Sequence, residues 1–458
     1  QEAAEHERGR VEICAAGDPA TKVVRTMFKR TKIVATVGPA SGSSDQIRSL
    51  IEAGVDVFRI NFSHGTPEDH QEYLDNIRRA EAASQRLVAV CGDLCGPKIR
   101  VGAMEGGQAV MEPGREIVVQ RSPLEGTEER ISTTYQELVD FVAVGDRILM
   151  ADGRLRLQVT AVAPPEEFTC RVIVGGTLSN GKGVNLPDTD IPLSPLTEKD
   201  RRDVQWLASR DFDYVALSFV QRARDVQELR ALLEKAGNNA QIIAKIEKPQ
   251  ALNQIDQIIE AADAVMVARG DLAVEMDFPA VPIAQKSITR KCEQAGKPCV
   301  IATEMLESMI HSRTPTRAEI SDVANAVFDH ADAVMLSAES SIGDYPVETV
   351  GIMRDTVLAA QDYEGSIWRK DARMHGPLGT AAAIAGAVRQ VMAMQSVAAV
   401  VVLTNTGATA RLISKNRPPC PIVALCTSAE TARRCALYHG VVPRRVGWLE
   451  SVPEVLDM

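Results

Sequence analysis

The chain lacks any apolar run near the roughly 18 residues that a membrane-spanning helix needs. It also lacks Cys-x-x-Cys pairs and zinc-type spacings. Its nine cysteines are scattered and odd in number, and read as buried thiols of a reducing compartment. A basic surplus is missing too: 51 Lys and Arg against 61 Asp and Glu leave a net charge of −10. That balance argues against nucleic-acid or membrane-surface binding as a general role. Residues 1–30 are polar, carry both charges and have no apolar h-region, so no secretory signal is read there. The first residue is Gln1 rather than Met, the expected mark of trimming or processing. The expected compartment is the cytoplasm, with an organelle reached by a removed transit peptide as the alternative. No Walker A loop, protein-kinase loop set or post-strand Gly-x-Gly-x-x-Gly is present.

What the chain does have is 458 residues, 45% apolar and 24% charged, enough for two to four globular domains. The most informative stretch is residues 241–271. Two short apolar runs, Ile242–Ala244 and Ala264–Ala268, look like buried parallel strands. The first leads into Lys245-Ile246-Glu247 and the second into Arg269-Gly270-Asp271, with the amphipathic stretch Asn253–Ala262 between them. Residues i and i+2 of a strand share a face, so Lys245 and Glu247 project together. A strand–helix–strand unit brings Asp271 to the same end of the neighbouring strand.

Eight such apolar runs occur: Lys32–Val37, Val55–Ile60, Leu87–Cys91, Tyr214–Phe219, Ile242–Ile246, Ala264–Ala268, Cys299–Ala302 and Ala333–Ser337. Seven are followed directly by helix-period segments. Thr316-x-x-Glu319 reads as a capping box, and Gly54, Gly237 and Gly296 as helix stops. After the third run the helix is delayed until Thr197–Ser209, and the interval is rich in short β-prone runs and turns. The expected fold is α/β: a (β/α)₈ TIM barrel with an all-β domain inserted after strand three and a C-terminal α/β domain. A doubly wound open sheet is the alternative, and the count of eight argues against it. The expected divisions are an N-terminal segment 1–30, a barrel of 31–101 and 188–362, an inserted β-barrel lid 102–187, and a C-terminal α/β regulatory domain 363–458.

A (β/α)₈ barrel carries its active site at the C-terminal ends of its strands. Those ends supply Arg59, Asn61, Ser63, His64, Asp93, Lys98, Arg100, Lys245, Glu247, Arg269, Gly270, Asp271, Thr303, Glu304, Ser337 and Glu339. Clustered Arg and Lys in an acidic protein suit an anion. Glu247 and Asp271 suit Mg²⁺, which commonly takes one or two carboxylates plus substrate oxygens. Thr303 is a neutral hydroxyl able to pass a proton. Together these features favour phosphoryl transfer, where catalysis is mostly positioning and charge neutralisation.

Several segments resemble the pyruvate kinase family: Arg59–Gly65 (RINFSHG), Gly96–Arg100 (GPKIR), Lys182–Pro187 (KGVNLP), Ile243–Lys248 (IAKIEK), Met266–Asp271 (MVARGD), Met305–Met309 (MLESM) and Pro315–Ala326 (PTRAEISDVANA). The resemblance runs from about residue 31 to 445. It implies Mg²⁺-dependent (or Mn²⁺-dependent) phosphoryl transfer from phosphoenolpyruvate to ADP, giving pyruvate and ATP as the last step of glycolysis. By that resemblance Glu247 and Asp271 hold the divalent ion, Lys245 and Arg59 face the phosphoryl group, and Gly270, Asp271 and Thr303 hold the substrate carboxylate. Thr303 joins the proton relay, while Arg100, Lys182 and His64 serve the nucleotide. It also implies a homotetramer and a phosphorylated allosteric effector, at Thr404, Asn405, Thr406, Gly407 and Thr409. An ordinary N-capped turn is the alternative for that last loop.

Asn61, Ser63, Asp93 and the Leu94 carbonyl align with the family's K⁺ ligands. Where K⁺-dependent members carry a glutamate, this chain has Lys98, and Leu94 replaces their threonine. The expectation is activity without K⁺, the Lys98 ammonium supplying the charge. Glu304 stands where the family usually has Gln, and Ser337–Ser341 (SAESS) replaces Ser-Gly-Glu-Thr-Ala. Two rival readings are a Mg²⁺-dependent barrel lyase of pyruvate or phosphoenolpyruvate, and an inactive metabolite-sensing relative. The first would not need the inserted domain with Lys182. The second would fit loss of Lys245, Glu247, Asp271 or Thr303, and all four are present.

Overall fold

The computed structural model describes residues 28–151, 153–189, 191, 194–366 and 380–447. Residues 1–27 of the expected N-terminal segment lie outside them. Eight parallel strands close into a barrel: Lys32–Val37, Val57–Asn61, Ala89–Asp93, Tyr214–Leu217, Gln241–Ile246, Ala264–Ala268, Cys299–Ala302 and Ala333–Leu336. Closure comes from pairing of the first strand with the eighth, Lys32 opposite Ala333. Six of the strands are buried at every residue and the other two at all but one or two, because helices cover the outside and side chains fill the interior.

Local chemistry accounts for the helix boundaries. Thr66, Thr197 and Thr316 each close a capping box, with Asp69, Asp200 and Glu319 respectively. Gly54, Gly237 and Gly296 follow helix ends at φ of 131°, 72° and 68°, which L side chains rarely adopt. The expected helix after strand five begins as a 3₁₀ turn, Pro249–Gln254, before the α-helix Ile255–Ala261. A further helix, Arg269–Glu275, was not expected and starts directly at the end of strand six. Asp271 therefore sits in the first turn of a helix rather than in a loop.

Between strand three and the helix Glu198–Ala208 lies the inserted domain, with its own core around Ile117, Val119, Leu157, Phe168 and Val172. It is a six-stranded sheet with a two-stranded sheet beside it, and the segment 99–102 bridges the two edges of the larger sheet: Val184 N donates to Ile99 O at 2.9 Å and Gly102 N to Ser132 O at 2.8 Å. The six-stranded sheet runs in the order Val184–Asn185, Arg147–Met150, Leu155–Ala163, Glu167–Val174, Glu116–Gln120, Arg130–Ser132. Its last pair is parallel and three residues long.

A three-stranded parallel sheet, Val400–Thr404, Ile422–Cys426 and Val441–Arg445, forms the C-terminal α/β unit. It docks on the N-terminal ends of the barrel strands. Lys32 Nζ, on the first residue of strand one, donates to Val441 O at 2.7 Å. Tyr214 Oη, on the first residue of strand four, donates to Arg434 O at 2.6 Å. This unit therefore lies at the end of the barrel opposite the catalytic rim.

Candidate active site

Strand five ends in Lys245, whose side chain reaches across the rim. Its Nζ donates to Ser218 Oγ at 2.7 Å and lies 2.9 Å from Glu247 Oε1 and 3.2 Å from Asp93 Oδ1. Asp93, at the end of strand three, also takes Arg59 Nε at 2.6 Å, and Arg59 Nη1 donates to Thr36 Oγ1 at 3.1 Å. Side chains from five strand ends thus form one network: Thr36, Arg59, Asp93, Ser218, and Lys245 with Glu247.

These charges are held out of water, with Lys245, Glu247 and Asp93 only 8%, 2% and 1% exposed. Burial alone disfavours the Lys245 ammonium, but the Asp93 and Glu247 carboxylates outweigh it and hold its pKa above the ordinary lysine value. Burial opposes Asp93 ionisation as well, yet Lys245 and Arg59 overcome it and keep that carboxyl below its usual range. Glu247 goes the other way: burial and the nearby Asp271 charge raise its pKa, against the pull of Lys245. The rim is therefore rich in negative charge at Glu247 and Asp271, a condition that a divalent cation relieves.

Glu247 Oε2 accepts from the Phe219 N–H at 2.8 Å. Phe219 adopts a left-handed φ of 56°, as its N–H turns toward the carboxylate. Ser218 and Phe219 were missed as site residues from sequence. The signal was available, since they continue the end of strand four just as Lys245 and Glu247 end strand five. Among the described residues no cluster of three or more His, Cys, Asp or Glu side chains is placed to hold a metal. The two carboxylates Glu247 and Asp271 nonetheless fit Mg²⁺, whose other ligands are commonly water and substrate oxygens.

Thr303 follows strand seven at φ 70° and Glu304 at φ 54°. A β-branched residue in that region is strained, and such strain persists only where surrounding contacts impose it. Here Thr303 Oγ1 accepts from the Gly270 N–H at 2.7 Å and donates to Ala302 O at 2.6 Å. Arg269 braces the turn, donating to Thr303 O at 2.8 Å and to Asp322 Oδ1 at 2.7 Å. Arg269 was read only as a rim charge; its contacts make it a support for Thr303.

Arg100 and Lys182 come together on the two strands that enter and leave the inserted domain. Val101 N donates to Lys182 O at 2.8 Å, and Val184 N to Ile99 O at 2.9 Å. Arg100 Nη1 donates to Gly181 O at 2.9 Å, and Lys182 is exposed. His64 is exposed, and its carbonyl takes His70 Nε2 at 2.7 Å. Of the residues aligned with a monovalent ion, Asn61 Oδ1 accepts from Ser63 N at 3.1 Å, and Leu94 O accepts from Ser218 Oγ at 2.8 Å. Lys98 lines a cavity with Asn185, Phe219, Lys248, Asp271 and Glu275, and its Cε lies 3.1 Å from where a Cβ on Gly183 would sit.

In the C-terminal unit, Thr404 Oγ1 accepts from Gly407 N at 2.9 Å and Thr406 Oγ1 from Ala408 N at 3.4 Å. The loop's own hydroxyls thus engage two of its N–H groups. Asn405 O takes Thr431 Oγ1 at 2.9 Å, and Thr409 is half-buried in the short helix that follows.

Fold and rim together define a (β/α)₈ enzyme equipped to hold an anionic substrate beside a divalent cation. The family profile described as pyruvate kinase, barrel domain, matches residues 28–350, and that of the pyruvate kinase alpha/beta domain matches 382–458. Pyruvate kinase of Geobacillus stearothermophilus is 43% identical over 94% of this chain and 74% of its own length. That of Methylorubrum extorquens is 45% identical over 91% of this chain and 86% of its own. A crystal structure of a pyruvate kinase from Cryptosporidium parvum superposes with a TM-score of 0.89 at 34% identity, covering 95% of this chain and 90% of that one. The chain belongs to the pyruvate kinase family. It is a phosphotransferase whose substrates are phosphoenolpyruvate and ADP.

Proposed function

We propose that the rim of strands one to seven carries this transfer, with Glu247 and Asp271 holding Mg²⁺ or Mn²⁺. The observation that carries the reading is Lys245, a buried ammonium fixed between Asp93, Glu247 and Ser218. A divalent ion at Glu247 and Asp271 supplies charge neutralisation to the substrate's oxygens. The chain's own groups do the rest. Lys245 and Arg59 offer positive charge to the phosphoryl oxygens, and Lys245 also faces the enolate oxygen that develops as the phosphoryl group leaves. The peptide N–H groups around Gly270 and Asp271, with the Thr303 hydroxyl, take the substrate carboxylate. Thr303 also belongs to the path by which the enol carbon gains its proton. Arg100 and Lys182, with His64 at the edge, meet the nucleotide phosphates when the inserted domain closes.

Monovalent-cation independence is part of the proposal. Asp93 already faces two cations, Arg59 and Lys245, and Lys98 adds a third positive charge to the cavity that Asp271 also lines. Turnover in K⁺-free buffer at saturating Mg²⁺ should stay within about threefold of that in K⁺, whereas loss of one fixed electrostatic contribution would cost at least about a hundredfold. The loop Thr404–Thr409 is proposed as the contact for a phosphorylated effector, and the assembly as a homotetramer. Steady-state pyruvate formation from phosphoenolpyruvate and ADP, with K⁺ and phosphorylated metabolites varied, tests the whole reading. No ADP-dependent pyruvate would refute it.

A further inference from the structure

Glu275 is the last residue of the helix Arg269–Glu275, four residues after Asp271. Residues spaced four apart lie on one face of a helix, so Glu275 shares its face with the proposed metal ligand. It is 3% exposed, its Oε2 has no partner at good hydrogen-bond geometry, and the Leu186 N–H lies close enough to favour its carboxylate. Burial pushes its carboxyl above the usual range, opposed mainly by Lys248. A buried acid with an orphan oxygen is costly for stability alone, and an apolar residue would fill the position better.

Its other oxygen shows what it holds. Glu275 Oε1 accepts from Asn185 Nδ2 at 2.8 Å, and Asn185 belongs to the inserted domain. Asn185 lies on the two-residue strand Val184–Asn185, opposite Leu149. That strand leaves the inserted domain, laddered to Ile99, with Lys182 three residues before Asn185. One weaker contact accompanies it: Arg147 stands 3.9 Å from Asp277.

We propose that Glu275 is a positioning residue that latches the inserted domain, through Asn185, to the helix carrying Asp271. Closure of the lid over the nucleotide and placement of Asp271 are then one motion. This rests on the phosphotransfer reading, and it names residues that reading does not use.

The test is a double-mutant cycle of Asn185→Ala and Glu275→Ala, with Glu275→Gln as the conservative control. Each alanine variant should raise KM for ADP about tenfold with kcat nearly unchanged, and the double variant should be no worse than either single one, since both break the same contact. Glu275→Gln keeps an oxygen that accepts from Asn185 and should stay within about threefold of wild type. Amide hydrogen exchange in Asn185→Ala should speed up together in residues 182–189 and 269–276, whether or not the protein turns over. Additive losses, a glutamine variant as poor as the alanine, a defect confined to kcat, or exchange that changes in only one segment would overturn the latch. Absence of ADP-dependent pyruvate formation in the wild type would instead overturn the phosphotransfer reading, and the exchange data would still decide the latch.

Discussion

The two ends of the barrel are both dense in charge, and they use it differently. At the rim, Arg59, Asp93, Lys245 and Glu247 come from one folding unit, and the nearby Asp271 adds a carboxylate that raises Glu247. At the base, carboxylates of the barrel meet cations of the C-terminal unit. Lys415 Nζ lies 2.5 Å from Asp332, Arg417 3.3 Å from it, and Arg433 Nη2 2.8 Å from Glu81. The base matches charges across a seam and so joins two units. The rim gathers carboxylates and cations within one unit, with Asp271 in no ion pair among the described residues, which suits a cation and an anion brought from outside. Position on the barrel, rather than residue type, separates function from cohesion.

The comparison breaks first at Lys245. Lys245→Met should lower kcat on the order of a thousandfold, because it removes the charge facing the developing enolate. Steady-state kinetics check this, and circular dichroism should show the fold retained. At the base, Lys415→Met should leave kcat at low temperature unchanged but cost about 3 kcal/mol of stability, as Asp332 is left buried with less compensation. Urea unfolding measures that loss, and adding Asp332→Leu should recover part of it. A kcat change as large as that of Lys245→Met would erase the distinction between the two ends.

Asp213 sharpens the contrast through pH. Burial pushes its carboxyl up to about 6, against the pull of Arg78. The folded state therefore binds more protons than the unfolded one between the ordinary aspartate value near 4 and about 6, so stability from this group falls as pH rises through that window, by about 3 kcal/mol in total. Asp213→Asn should lack this slope, visible as a wild-type-minus-variant difference in urea unfolding that shrinks from pH 4 to 6. The smallest effect is expected at Ser218→Ala, which removes one hydrogen bond to Lys245 and should cost about 1 kcal/mol, or roughly fivefold in kcat/KM.

Much of this was legible in the chain itself. Eight apolar runs alternating with helix-period segments specify a parallel barrel, since strands buried on both faces must be continuously apolar. Charges that end those runs fall on one rim by topology alone, which is why Lys245, Glu247, Asp271, Arg59 and Thr303 could be named from sequence. Motif resemblance then supplied the reaction. Contacts between distant segments were not legible. Ser218 meets Lys245 across 27 residues, Arg269 braces Thr303 across 34, and Asn185 reaches Glu275 across 90. Lys98 shows the same limit, for the cavity it lines also takes in the distant Asn185 and Glu275.

The sequence by itself determined the periodicities, the caps and the residues that end each strand, because these depend on near neighbours and on which face is apolar. Tertiary structure alone decided which of those charges face each other. Pairing is set by barrel closure and by where the inserted domain lies, and both emerge only when distant strands are brought into register.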